Sequence, residues 1–397
     1  PVLDAQRSFS KSRKEENSES TNAETTEMEL ERESESQGVV STESAVTVIS
    51  EAAVLMEAGT GTVIYEKNQD VRVSPASITK IMTLLLIYDA LYNGKIQLTD
   101  EVVTSARAKS MGGSQVYLKV GEEMAVEEMI KCVVIASAND CAVALAEFVA
   151  GSEEAFVAQM NARAEALGMK NTHFENTNGL DDTVTNHVIS ARDIAIMSRE
   201  LIRHELILKY SSIWMDTIRG GAFGLTNTNR LVRFYSGANG LKTGSTAKAK
   251  FCISATAKRD GMQLIAVIMA APTRDIRNNE AKQLLDFGFA NYGVFADEGG
   301  TIEPIRATGG VADFCPLRCD GFSAVLEKEK IAKIKKRLDL PEFVRCPVRA
   351  GDVLGRVIYE CGGEVVGAAD IKAENDIDAI SFFGLFSRIL GGFCLKG

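Results

Sequence analysis

Histidine is scarce in this chain: 397 residues hold three, His173, His187 and His204. None stands in an H-E-x-x-H pattern, which argues against a dedicated metal site, and each reads as a packed or surface histidine. Cysteine is sparse as well. Eight in so long a chain do not form a disulfide scaffold, and no C-x-x-C pair points to zinc or thioredoxin-like chemistry. Cys315 and Cys319 could pair, but their spacing alone does not show it. No apolar run reaches the roughly 18 residues of a transmembrane helix. Positive charge is in deficit: 44 basic residues face 54 acidic ones, for a net charge of −10 and a pI near 5.1. That balance is a poor match to a phosphate backbone and argues against a nucleic-acid partner. The chain opens at Pro1, so an export signal removed by processing would leave no trace in it.

What is present suits a globular protein, with 45% hydrophobic and 25% charged residues. The length calls for a main domain plus a smaller module. Residues 11–37 carry nine Glu against four Lys or Arg, net −5, with almost no large apolar side chains. Such a stretch cannot offset its ordering entropy, and residues 1–45 read as a disordered acidic segment. Two β-prone runs around Gly59 and Gly61 then predict a hairpin over 52–67. Helical spacing follows in SITKIMTLLLIYDALYNG, VEEMIKCVVIAS, CAVALAEFVAG, EEAFVAQMNARAEALGM and ISARDIAIMSRELIRHEL. Strands return in KFCISATAK and MQLIAVIMA, joined by Arg259, Asp260 and Gly261, and NEAKQLLDFGFANYG closes as a helix.

Strands, then helices, then strands predict an α/β (α+β) fold over 46–298. One antiparallel sheet is flanked by helices, a helical lobe stands apart, and a crevice runs between sheet and lobe. From about residue 299 to 373, short alternating runs and Gly-rich turns read as a small β domain. The tail 374–397 places Phe382, Phe383, Phe386, Ile389, Leu390 and Phe393 on one helical stripe, with Arg388 outside it. It is either an amphipathic helix in a membrane interface or a helix packed on the β domain.

SPASITK, residues 74–80, sets Ser77 three residues ahead of Lys80, so both lie on one face if the helix starts at the serine. An isolated S-x-x-K is more often an N-cap followed by a solvated lysine. Two further short motifs fall where the crevice would be. Ser137-Ala138-Asn139 separates two helical runs, and Lys242-Thr243-Gly244 precedes the late hairpin. Alone, the first is a helix junction and the second a strand end. Together, in this order, they match the motif set of penicillin-binding proteins and class A β-lactamases.

The sequence resembles the low-molecular-mass penicillin-binding proteins, the serine D-alanyl-D-alanine carboxypeptidases. The likeness runs through TGTVIYEKNQDVRVSPASITKIMT, GGSQVYLKVGEEMAVEEMI, SANDCAVALAEFVAG, ISARDIA, TNTNRL and GANGLKTGST, roughly residues 50–295. It implies a β-lactamase/transpeptidase-like fold and an extracytoplasmic enzyme at the outer face of the bacterial cytoplasmic membrane. Its substrate would be peptidoglycan pentapeptide ending in D-Ala-D-Ala, its covalent inhibitors β-lactams, and it would use no cofactor. Ser77 would be the nucleophile and Lys80 its base. Ser137 would relay the proton, and Asn139 would hold the substrate amide. Lys242 and Thr243, with Gly244 and Ser245, would receive the terminal carboxylate, the N–H groups of Ser77 and Ser245 forming the oxyanion hole. Arg230 and Asp193 are secondary candidates in family-like stretches. A lysine base near neutral pH needs its pKa lowered by about 3 units from 10.4, about 4 kcal/mol against the charged form. Burial, a second cation such as Lys242 and a helix N-terminus all act in that direction.

Three departures stand out. Ala138 replaces the usual glycine of the second motif. Ala249-Lys250 stands where an Ala-Gly pair is expected, a bulky cation bearing on substrate choice. Glu175 partly resembles a β-lactamase deacylation base but lacks its spacing, and reads as part of a structural loop. The rivals are a serine β-lactamase, which would turn over penicillin rapidly, and a non-catalytic β-lactam sensor, which would release no D-alanine.

Overall fold

A computed structural model of the protein describes residues 46–182 and 184–394. The acidic segment read as disordered lies outside the described residues. AAVLME and VIYEK form the expected hairpin, β1 (Ala52–Glu57) and β2 (Val63–Lys67). The late sequence supplies β3 (Ala238–Thr246), β4 (Lys250–Arg259) and β5 (Met262–Ala271). All five join one antiparallel sheet in the order β2-β1-β5-β4-β3, so the two ends of the fold meet where β1 pairs with β5. Asp260 and Gly261 make a two-residue turn with φ of 48° and 82°, the left-handed geometry that matches strand twist in a tight hairpin.

Alternation along the strands sends side chains into two cores. Ala52, Val54 and Met56 of β1 and Ile265, Val267 and Met269 of β5 enter the larger one. Ala53 and Leu55, with Leu264, Ala266 and Ile268, enter the other. Both faces of the sheet are covered, which is why MQLIAVIMA reads as unbroken apolar sequence.

The larger core is completed by α1 (Lys80–Tyr92), α2 (Val126–Ile135), α3 (Asn139–Ala150), α4 (Glu153–Ala166) and α5 (Ala191–Ile202). Serine caps set two of the starts: Ser152 accepts from Ala155 N–H and Ser190 from Asp193 N–H. The run read as one helix through 206 is broken. His204 adopts extended dihedrals, its ring beside Tyr88 and 3.3 Å from an Asp89 carboxylate oxygen, and a separate helix, α6 (Glu205–Ser211), follows. On the other face α7 (Arg274–Asn291), capped by Thr273, lays Ala281, Leu284, Leu285 and Phe289 on the sheet.

Beyond α7, Tyr292–Asp297 pairs with Phe322–Glu327, and a six-stranded sheet spans 300–373. It has its own core, with Cys315, Leu317, Tyr359 and Ile371. Cys315 and Cys319 are both free, four positions apart on one strand. That spacing is about 13 Å, too far for a bridge. The last helix, Phe382–Cys394, leaves Phe382, Phe383, Phe386, Ile389 and Leu390 exposed, while Arg388 pairs with Asp313 at 2.6 Å. Among the described residues no helix is long and apolar enough to cross a membrane.

One buried histidine ties the loop before α5 to the turn before α1. His187 Nδ1 accepts from Glu175 N–H (2.9 Å), which leaves Nε2–H to donate to Thr79 Oγ1 (2.7 Å). Burial holds its pKa down, from 6.5 to about 4. The unfolded chain therefore binds a proton that the folded one refuses, and this contribution to stability is complete above pH 6.5 and lost as pH falls toward 4. Relative to a His187→Gln variant, wild-type stability in urea titrations should rise across that window by up to about 3 kcal/mol. A constant difference would contradict the assignment.

Candidate active site

Ser77 does not begin an α-helix, as the sequence suggested. It sits in a 3-10 turn, Ala76–Thr79, and α1 starts at Lys80. The turn is tightened from outside: Ala76 has φ of 48° and its carbonyl receives Thr79 Oγ1–H at 2.8 Å. Gly179 presses against that carbonyl so closely that a Cβ would lie 1.8 Å from it. In a 3-10 turn residues i and i+3 eclipse one another. Lys80 Nζ accordingly lies 2.9 Å from Ser77 Oγ.

Lys80 is fully buried. Its Nζ also reaches Asn139 Oδ1 (2.5 Å) and the Asn178 carbonyl (2.8 Å). Burial drives its pKa well below the ordinary lysine value; the charge of Lys242 adds to this and Asp140 opposes it. A neutral amine has two N–H donors and one lone pair. The two carbonyl oxygens take the donors, and the lone pair is left facing the Ser77 hydroxyl, which then donates to it.

The second motif brings Ser137 to the same cleft. Its φ of 63° is left-handed, a strained state for a serine. Ala138 N–H, donating to Cys132 O (3.1 Å), and Asn139 N–H, donating to Ser114 O (2.7 Å), hold the junction on either side. Asn139 Nδ2 donates to Gly112 O at 2.7 Å, which orients its Oδ1 toward Lys80.

The third motif was read as a strand end, yet it lies within the edge strand β3, paired with β4 through Lys242↔Ser254 and Gly244↔Cys252. Lys242 Nζ donates to Ser137 Oγ (2.8 Å) and to Thr243 O (2.9 Å). Burial, with a smaller push from Arg277, lowers its pKa to about 7. Gly244 is required by proximity. A Cβ there would stand 3.0 Å from the backbone nitrogens of Ser77 and Ile78 and 2.9 Å from Pro75 O.

Ser77, Ser137, Thr243, Gly244 and Ser245 line one cleft of ≈ 660 Å³. Of the two secondary candidates Arg230 lines it too, whereas Asp193 does not. Asp193 is buried in the first turn of α5 and accepts from Thr172 Oγ1 (2.7 Å) and Asn171 N–H (2.9 Å), which makes it a loop anchor. Lys250 is exposed at the end of the β3–β4 hairpin and is not among the lining residues. Glu175 accepts from Thr185 and Asn186 N–H at 2.9 and 2.8 Å, the structural loop it was read to be. The sequence reading missed Ser114, Arg274 and Arg277 of the cleft wall and the Asn178 carbonyl. The R-x-x-R spacing at the head of α7 was the available signal for the arginines. Among the described residues no cluster of three or more His, Cys, Asp or Glu could hold a metal ion.

Fold and constellation define an acyl-transferring serine hydrolase of the S-x-x-K class. The family model described as D-alanyl-D-alanine carboxypeptidase matches residues 39–273, and that of the penicillin-binding protein 5 C-terminal domain matches 319–379. The chain belongs to the D-alanyl-D-alanine carboxypeptidase family. It is 42% identical over 349 residues to the D-alanyl-D-alanine carboxypeptidase DacF of Bacillus subtilis, covering 86% of this chain and 89% of that one. With DacC of Escherichia coli the identity is 32% over 362 residues, 86% and 87% of the two chains. Penicillin-binding protein 5 from Haemophilus influenzae superposes with a TM-score of 0.77 at 31% identity, covering 86% of this chain and 100% of that one.

Because Gly244 sets the distance between β3 and the Ser77 turn, Gly244→Ala should slow acylation of Ser77 by about 10- to 100-fold. The cost in stability should stay at about 1–3 kcal/mol. Stopped-flow acylation and urea unfolding on the same variant check this; unchanged acylation would contradict it.

Proposed function

We propose that the protein removes the terminal D-alanine from peptidoglycan stem peptides through an acyl-enzyme on Ser77. As a member of its family it is a serine-type D-alanyl-D-alanine carboxypeptidase, a penicillin-binding hydrolase that acts on the cell wall outside the cytoplasm. The observation that carries the mechanism is the pairing of two buried lysines with two serines across one cleft: Lys80 with Ser77 at 2.9 Å and Lys242 with Ser137 at 2.8 Å.

In this reading the neutral Lys80 takes the Ser77 proton as Oγ attacks the carbonyl of the penultimate D-alanine. Gly244 leaves the Ser77 N–H open to the developing oxyanion, with the N–H of Ser245 as the second donor. Ser137 passes a proton to the departing amine. Asn139 holds the substrate amide as well as fixing Lys80. The terminal carboxylate is received by Thr243, Lys242 and Arg230, with the buried guanidinium of Arg277 behind them. Water then hydrolyses the ester.

A β-lactam would acylate Ser77 in the same way, but its leaving amine stays tethered. The Glu175 carboxylate is engaged by its own loop and so is not offered as a fast deacylation base. We also read the chain as a peptidase domain over 46–298, a β domain over 299–373 and a terminal amphipathic segment over 374–397. The exposed apolar face of the last helix suits a membrane interface at the outer side of the cytoplasmic membrane.

Incubation with a peptide ending in D-alanyl-D-alanine should release free D-alanine, and Ser77→Ala should abolish the release. A fluorescent penicillin should label the wild type for many minutes; label lost within seconds would favour a β-lactamase, and labelling without D-alanine release a sensor. Removing residues 375–397 should sharply reduce sedimentation with anionic liposomes. Undiminished binding would dismiss the anchor.

A further inference from the structure

The residue that follows the second motif is a buried carboxylate with no cation of its own. Asp140 stands in the first turn of α3 and is fully buried. Among the described residues it takes part in no ion pair. Arg219, which reaches the same region, is committed to Glu122 at 2.7 Å and to Val116 O at 2.9 Å. A carboxylate at the start of a helix is ordinarily explained by the helix dipole. That is a small effect and does not account for full burial, because taking a charge out of water costs more.

Backbone meets this carboxylate instead. Oδ2 accepts from the N–H groups of Val116 and Leu118, both at 3.1 Å, and Oδ1 from Cys141 N–H at 3.0 Å. Tyr117, between the first two, has φ of 59°, the left-handed turn that brings the N–H groups on either side of it onto one anion. The loop held in this way is the one that fixes Asn139: Gly112 O receives its Nδ2–H and Ser114 O its backbone N–H, each at 2.7 Å. Asn139 in turn touches Lys80. Asp140 also reaches Lys80 through its charge. The charged groups acting on that amine are Lys242 from β3, which disfavours the ammonium, and Asp140 from α3, which favours it. The Ser77 turn and the Asn178 loop offer it neutral oxygens. Burial pushes the Cys141 thiol, next to Asp140, well above its ordinary range, so it adds no second negative charge.

We propose that Asp140 is a positioning residue for the acylation step: it clamps the 112–118 loop so that Asn139 is held on Lys80, and its charge stabilises the ammonium formed when Lys80 takes the Ser77 proton. The inference rests on the reading of Lys80 as the base and adds the group that makes that base strong enough. An amine kept neutral by enclosure alone is a poor proton acceptor, because the same burial opposes the cation that proton transfer creates. In the step itself the Ser77 O–H bond breaks as Oγ bonds to the substrate carbonyl carbon, and the proton goes to the Nζ lone pair. Nζ then carries three N–H bonds and a positive charge. The negative charge in the first turn of α3 offsets it, while Lys242 opposes it. Asp140 is not among the residues that line the cleft, so it acts through Asn139 and Lys80.

The test follows Ser77 acylation by a penicillin in stopped flow from pH 4 to 10.5, in the full chain, for the wild type, Asp140→Asn and Asp140→Glu. Losing the charge makes Lys80 harder to protonate, so the ascending limb of the Asn variant should move down by about 1 pH unit. Its plateau should fall by about 10- to 100-fold, since a weaker base is slower and part of the clamp is lost. The Glu variant keeps the charge but not the fit, so its limb should stay in place while its plateau falls by about 10-fold. A limb that does not move in the Asn variant overturns the proposal, because a purely structural clamp would lower the rate and leave the limb where it was. An unchanged plateau in the Glu variant overturns it too. If the Asn variant does not fold, the Glu variant decides alone, and a limb displaced there by about a full unit is then the contrary result. A wild-type limb that climbs through pH 10 would instead sink the reading of Lys80 as a neutral base, and the role of Asp140 with it.

Discussion

An amine that has to be uncharged while wholly enclosed is the constraint around which this molecule is arranged. Lys80 is fully buried with its Nζ 2.9 Å from the Ser77 hydroxyl. Placing a cation there would mean desolvating it beside Lys242, so the enclosure itself selects the neutral form. The two carbonyl oxygens, from Asn139 and Asn178, then do more than fill hydrogen-bonding positions. By taking the two N–H donors they point the lone pair at the Ser77 hydroxyl.

The rest of the site supplies that enclosure. The loop carrying Asn178 closes it on one side, held by Gly179 against Ala76 O and by His187 against Thr79. The junction of α2 and α3 closes it on another, where Ser137 takes a left-handed φ and Asn139 heads α3. The edge strand β3 forms the third wall. It approaches the Ser77 turn to a distance only glycine permits at position 244. Because β3 is the outermost strand, one of its sides is free of strand partners and available to a ligand. The sheet's burial on both faces makes that edge a fixed reference for the lysine opposite.

Much of this was legible in the residues themselves. Alternation and turn chemistry gave the hairpins at 52–67 and 250–271, and three short motifs pointed to Ser77, Lys80, Ser137, Asn139 and Lys242. What stayed hidden depended on contacts distant in sequence. The 3-10 turn at Ser77 packs against Gly179, about a hundred residues away, and local propensity carries no record of that contact. Asn178 acts through its backbone carbonyl, which no side-chain pattern can announce. Asp193 looked like chemistry because its stretch is family-like, yet its partners are Thr172 and Asn171 in the adjoining loop. The arginines of α7 were overlooked because only the fold turns the head of that helix toward the cleft.

The ionisation of Lys80 is the point at which the account stands or falls. The second-order rate of Ser77 acylation by a penicillin should be measured from pH 4 to 10.5 for the wild type and for Lys80→Arg. A neutral, buried base predicts an ascending limb complete well below the ordinary lysine value of about 10.4, and no measurable acylation when the permanently charged arginine takes its place. A rate that keeps climbing through pH 10, or an arginine variant that acylates normally, would contradict it.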